Sequence, residues 1–124
     1  YLLIEEEVKA GWDKVLAKTA FAGGPFVTDF ENDFAAYCQT SYAAGVNTGT
    51  SALHLAMLAL GIGPGDEVIL PGNTFIATAW GVSYTGAIPV FVDCNPETWQ
   101  IDVSKIEEKI SIKTKAIIGV HLYG

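Results

Sequence analysis

The feature that most constrains this chain is a change of pattern near residue 40, where helical spacing of apolar residues gives way to short apolar runs alternating with helix-like segments. The sequence predicts strands at Tyr42–Val46, Glu67–Leu70 (closed by Pro71), Ile88–Val92 and Lys115–Leu122. Between them it predicts a helix over Thr50–Leu60, a second capped by Asn73 or Thr74 and running to Tyr84, and a more polar third that starts at Asp102 and reaches Ile110. Strands that alternate with helices build successive βαβ units, which close as a mainly parallel sheet with helices on both faces. The expected fold class is therefore α/β. The runs Val68–Leu70 and Ile88–Val92 are almost continuously apolar, as strands covered on both sides are. The Thr50–Leu60 segment is apolar on nearly every side, which predicts a buried helix.

The first forty residues read differently. Ile4, Val8, Trp12, Val15 and Leu16 fall on one helical face between Leu2 and Ala20, and Glu5 to Glu7 place negative charge near its start, where the helix dipole favours it. A Gly23–Pro25 break follows. Thr28-Asp29-Phe30-Glu31 then matches a capping box, in which hydroxyl and carboxylate each satisfy an orphan amide, with Phe30, Phe34, Tyr37 and Cys38 as the apolar stripe of the helix it opens. Residues 1–40 are thus expected to be a helical arm, and residues 41–124 the first part of an α/β domain.

With 124 residues, half of them apolar and 17% charged, the chain can bury a core, and disorder is excluded. Seven Lys, no Arg and fourteen acids give a net charge of −7, which opposes the phosphate contacts that nucleic-acid binding depends on. Cys38 and Cys94 are too few for a disulfide framework and read as buried free thiols. No apolar run approaches the ~18 residues of a membrane span, and no secretory pattern opens the chain, so the expectation is a cytoplasmic protein with neither a nucleic-acid nor a membrane partner. The chain starts at Tyr1 and stops after Val120–Gly124 without a closing helix, which reads as a piece of something longer.

Ligands of open α/β sheets bind outside the carboxyl ends of the strands. There, Thr48-Gly49-Thr50-Ser51 joins a predicted strand to a helix, bringing free amides, hydroxyls and the positive dipole end to one spot. A phosphate suits that arrangement, although a Thr50 or Ser51 that merely caps its own helix uses the same residue types. A Walker loop is a weak reading, because no lysine lies between Lys18 and Lys105, and so is the dinucleotide fingerprint, which has only Gly49 of its glycines and lacks an acid at the end of the next strand. The next loop, Pro71–Thr78, carries Phe75, either a flat platform for a ring or plain core. Together the two loops suit a phosphorylated planar cofactor. His54 reads as a core or interface histidine, His121 stands at a strand end, and Asp66 and Asp93 read as turn residues. No metal-ligand spacing or nucleophile motif is present.

From about Gly23 onward the chain resembles the pyridoxal-phosphate-dependent sugar aminotransferases of the DegT/DnrJ/EryC1/StrS type. The resemblance runs through GPFVTDFENDFAAY, VNTGTSALHLAMLALGIGPGDEVILPGNTFIATAWGVSYTGAIPVFVDCNPETWQID and TKAIIGVHLYG. It implies the N-terminal portion of a fold-type-I large domain in a homodimer, with pyridoxal 5'-phosphate as cofactor. Thr50 and Ser51 match the pair that holds the cofactor phosphate, Gly49 the close backbone approach, and Phe75 the aromatic residue stacked on the pyridine ring. The implied reaction moves an amino group, typically from glutamate, to a keto group of a nucleotide-linked sugar. In the family the Schiff-base lysine and the aspartate at the pyridine nitrogen follow the VHLYG strand, so both are expected beyond Gly124 and no catalytic residue is assigned among the lysines present. Same-family dehydratases, and an inert cofactor-binding or dimerisation piece, are the alternatives the resemblance leaves open.

Overall fold

A computed structural model describes residues 3–124. They fall into two compact units, Tyr1–Gly45 and Val46–Gly124.

The first unit holds two helices, α1 (Glu5–Lys18) and α2 (Pro25–Tyr37). Lys9 pairs with Glu5 at 2.7 Å one turn back along α1, and Thr19 ends the helix in a left-handed conformation. The expected start of this helix at Leu2 lies outside the described residues. The capping box is overturned. α2 begins three residues before Thr28, at Pro25, whose fixed φ and missing N–H suit a first helical turn. Thr28 is therefore inside the helix, and the Glu31 carboxylate, released from capping, accepts the Gly45 amide at 2.7 Å. That contact lies in a segment where a strand was expected. Tyr42–Val46 has no ladder partner, and with two alanines and a glycine it has little side chain to pack on a sheet. Cys38 and Cys94 are free as expected, but Cys38 is exposed and Cys94 half-buried, not buried.

The second unit is the α/β body. Three strands, β1 (Glu67–Pro71), β2 (Ile88–Val92) and β3 (Thr114–Ile117), form a wholly parallel sheet in the order β2-β1-β3. Between residue 46 and β1 lies α3 (Gly49–Ala59), and between β1 and β2 lies α4 (Ala77–Ser83). Central β1 is buried from Val68 to Pro71. Val68 and Leu70 pack with Met57 of α3, Ala79 and Val82 of α4, Ile62 and Ala87 to form the core, and Ala116 and Ile118 close against it.

The flanking β2 departs from the expected double cover: Ile88 and Phe91 are each about half exposed, as is Ile117 of β3, because the buried cluster packs on the central strand. β3 is also shorter than the expected Lys115–Leu122. Its last ladder bond runs from the Ile118 amide to Ile69 O at 2.8 Å, and the next would need an N–H from Pro71, which has none. The helix expected from Asp102 to Ile110 is two 3-10 turns, Val103–Lys105 and Glu107–Lys109, with Asp102 accepting the Ser104 amide as a cap. The helix α3 is not buried all round. Met57 is its one buried residue, and Leu55 and Leu58 are half exposed, since α3 packs on α4 along a single side. Among the described residues no helix is long and apolar enough to cross a membrane.

Candidate functional site

The carboxyl ends of the strands are laced together. Beyond β1 the Gly72 amide donates to Val92 O at 2.8 Å, tying the loop after β1 to the end of β2. The segment after β2 folds back on itself through a bridge between Cys94 and Ile101, and Gln100 Nε2 donates to Leu122 O, 2.7 Å away in the loop after β3. Asn95 accepts the Glu97 and Thr98 amides, which makes the turn. Asp93 accepts the Cys94 amide and pairs with Lys105 at 3.3 Å. That backbone hydrogen bond, with Lys105 second, holds the Asp93 carboxyl below its ordinary value. The turn role read for Asp93 therefore carries an ion pair that the sequence did not signal. Asp66 likewise serves its turn, accepting the Gly63 amide.

At the start of α3 the cap is Thr48, whose hydroxyl oxygen accepts the Ser51 amide at 3.0 Å and donates to the Ser51 hydroxyl. Thr50 and Ser51 are inside the helix and do not cap it. This separates two readings that the residue types left open: with the capping done by Thr48, the hydroxyls of Thr50 and Ser51 are not needed for it. The amides of Gly49 and Thr50, in the first helical positions, donate to no acceptor among the described residues. The Ser51 amide, by contrast, is occupied. A β-carbon at position 49 would meet nothing within 4 Å, so the room beside these amides is open.

Across from this helix end, the loop after β1 brings Phe75. Its side of the site is not built as the sequence predicted, for neither Asn73 nor Thr74 caps α4. That helix starts at Ala77 with no side-chain cap, and the Thr74 hydroxyl instead pairs with that of Thr78 at 2.9 Å. Phe75 is 74% exposed, which excludes core packing as its role in the described residues. Gly49, Thr50, Ala52 and Leu53 of α3 line one open cavity of about 510 Å³ with Phe75, Ala77 and Thr78. Of the four residues singled out in sequence, Gly49, Thr50 and Phe75 thus share a cavity, while Ser51 stands behind it, bonded to Thr48. The donors fit a phosphate and the flat, largely apolar walls fit a ring. Thr48 and Thr78 are the residues that sequence reasoning missed. Thr48 could have been found by its spacing, three residues before Ser51, at which a cap hydroxyl reaches the amide of the third helical position.

His54 is half-buried on α3 and meets Tyr84 edge-on at 5.6 Å between ring centroids, away from the cavity lining. His121 is exposed at the end of the chain segment after β3. Among the described residues no group of three or more His, Cys, Asp or Glu could hold a metal.

The model of the DegT/DnrJ/EryC1/StrS aminotransferase family matches residues 3–124. A GDP-perosamine synthase of Escherichia coli O157:H7 is 57% identical over 101 residues, which are 82% of this chain and 28% of that protein. A dTDP-3-amino-3,4,6-trideoxy-alpha-D-glucose transaminase of Streptomyces venezuelae is 46% identical over 123 residues, 96% of this chain and 32% of the other. Among solved structures, NtdA of Bacillus subtilis with bound cofactor PMP superposes with a TM-score of 0.88 at 43% identity, covering 96% of this chain and 27% of that one. The chain spans about a third of the length of the curated relatives it matches. The likeness confirms the expected fold: this is a portion of a fold-type-I large domain, α/β with a parallel sheet.

Proposed function

The chain belongs to the DegT/DnrJ/EryC1/StrS aminotransferase family, and from that premise we propose that it supplies the phosphate cradle and ring platform of a pyridoxal-phosphate-dependent sugar aminotransferase. The observation that carries this reading is the cavity shared by the Gly49 and Thr50 amides and the Phe75 ring. The amides of Gly49 and Thr50 and the Thr50 hydroxyl bind the phosphate. Ser51, whose amide is held by Thr48, keeps the first turn rigid and presents its hydroxyl beside them. Phe75 covers one face of the pyridine ring and excludes water from it. When bound, the cofactor supplies an electron sink for breaking bonds at the carbon that bears the amino group. These residues hold it by both ends, so its reactive carbon has one place to be.

The substrate reading is an amino donor, glutamate, and a keto group of a nucleotide-linked sugar. The protein is a cytoplasmic homodimer in this reading, with residues 1–40 as a helical arm and residues 41–124 as the first part of the cofactor domain. The test uses the full-length protein. Added pyridoxal phosphate should give a visible absorbance band that glutamate bleaches, and a nucleotide-linked keto sugar should restore it. A protein that develops no band, or a band indifferent to glutamate, would sink the proposal.

A further inference from the structure

Phe75 poses a physical problem. A ring 74% exposed draws little orientation from packing, yet a stacking face works only if it is held at one angle. Its orientation must come from its backbone, and the residues around it, Gly72 to Ile76, belong to no strand or helix. The Gly72 amide on Val92 O ties down the start of this segment and the Ala79 and Trp80 amides on Ile76 O its end, while the two hydrogen bonds at Thr74 and Phe75 themselves both involve Thr78. The Thr78 amide donates to Phe75 O at 3.0 Å, and the Thr78 hydroxyl pairs with the Thr74 hydroxyl at 2.9 Å, so one residue grips both the ring-bearing position and its neighbour.

Thr78 is well placed to be a fixed point. It is 6% exposed, set between buried Ala77 and Ala79, and it lines the same cavity as Gly49, Thr50 and Phe75. Packing alone would be served by valine, which has the same shape without the cost of burying a hydroxyl. The hydroxyl is explained by its bond to Thr74.

We propose that Thr78 is a positioning residue that holds the Phe75 ring against the cofactor through Thr74 and the Phe75 carbonyl. The proposal rests on the reading of this cavity as the cofactor site. It is tested by absorbance titration of pyridoxal phosphate into the full-length protein and its variants, with chemical denaturation run on each without cofactor. T78V keeps shape and amide and loses the hydroxyl bond. Cofactor affinity should fall roughly fivefold, the effect of one net hydrogen bond, with stability less affected. T78S keeps the hydroxyl and loses a buried methyl, so it should show the opposite pattern: near-normal affinity and lower stability. A residue with a merely structural role would let affinity follow stability in both. In an F75A background T78V should cost no further affinity, because the ring through which it acts is gone.

Should T78V fail to fold, T78A against T78S makes the same comparison. Affinity within about twofold of wild type in T78V, or a T78V effect undiminished in F75A, overturns the positioning role while the cofactor site stands. Failure of the wild-type protein to take up the cofactor overturns the site itself.

Discussion

Gly81 of α4 lies against Leu53 of α3 so closely that a β-carbon at position 81 would sit 2.7 Å from Leu53 Cβ, with Leu53 C and the His54 amide nitrogen only 3.2 and 3.3 Å away. Two of these three atoms are backbone, so no rotamer change relieves the contact. The separation of the helices is therefore set at this crossing. Gly49 and Thr50 ride on α3, and Phe75 stands two residues before α4, so the crossing also sets the width of the cavity between them.

G81A should consequently act at a distance. Forcing the helices apart costs about 1–3 kcal/mol of stability, as overpacking does. Cofactor affinity should fall as well, although residue 81 does not line the cavity. Denaturation together with a cofactor titration checks both, and a G81A protein as stable as wild type would show that the helices have room to spare.

Thr48 gives a second prediction, because its two roles separate by substitution. T48A removes the acceptor of the Ser51 amide and should cost about 1 kcal/mol of stability. T48D restores a good cap but sets a negative charge beside the phosphate cradle. It should therefore be close to wild type in denaturation and markedly weaker in cofactor binding. If T48D bound cofactor as well as wild type, the anion would have to lie elsewhere.

Thr48 also marks where the sequence was legible and where it was not. The central strand, the helix that begins at Gly49 and the meeting of Gly49 and Thr50 with Phe75 at one cavity were readable, because each rests on a local pattern: an apolar run, a run of good helix formers, a turn at a strand end. What misled were patterns whose meaning depends on distant partners. The Thr28–Glu31 spacing fits a capping box, yet Pro25 starts the helix earlier and Gly45, fourteen residues on, claims the carboxylate. Lys115 to Leu122 is apolar enough for a long strand, but a proline in the neighbouring strand takes away the next donor. The Thr74–Thr78 clamp could not be read at all, since threonines four apart say nothing of whether their hydroxyls meet.

Phe75 should be dispensable for folding and needed for binding. At 74% exposure F75A removes little buried surface, so stability should barely change, whereas cofactor affinity should fall by on the order of 1 kcal/mol beyond lost area. S51D is the matching change on α3, next to Thr50 and outside the cavity lining. An acid in the first helical turn suits the dipole and should not harm the fold, while its charge repels a phosphate. Loss of stability in F75A with unchanged affinity would return Phe75 to a packing role.

The Asp93–Lys105 pair predicts the shape of the pH profile at the strand ends. The Asp93 carboxyl is held below its ordinary value of 3.8, first by the Cys94 amide and then by Lys105. Its contribution to stability is therefore complete above 3.8 and is lost as the pH falls through the lower folded value. Lys105 is raised above 10.5, chiefly by its hydrogen bond to Asp93, so its contribution is complete below 10.5 and lost only as the pH rises through the higher folded value. Between those limits the pair is silent. D93N keeps an oxygen for the Cys94 amide and removes the charge, so the gap in stability between D93N and wild type should be constant from about pH 9 to about pH 5 and should narrow in stronger acid. Added salt should narrow the gap at neutral pH as well, because both side chains meet solvent and the ion pair is screened, while the Cys94 bond is not. Urea denaturation of the two proteins across that range is the measurement, and a gap that stays constant into strong acid would mean that Asp93 gains nothing from its charge.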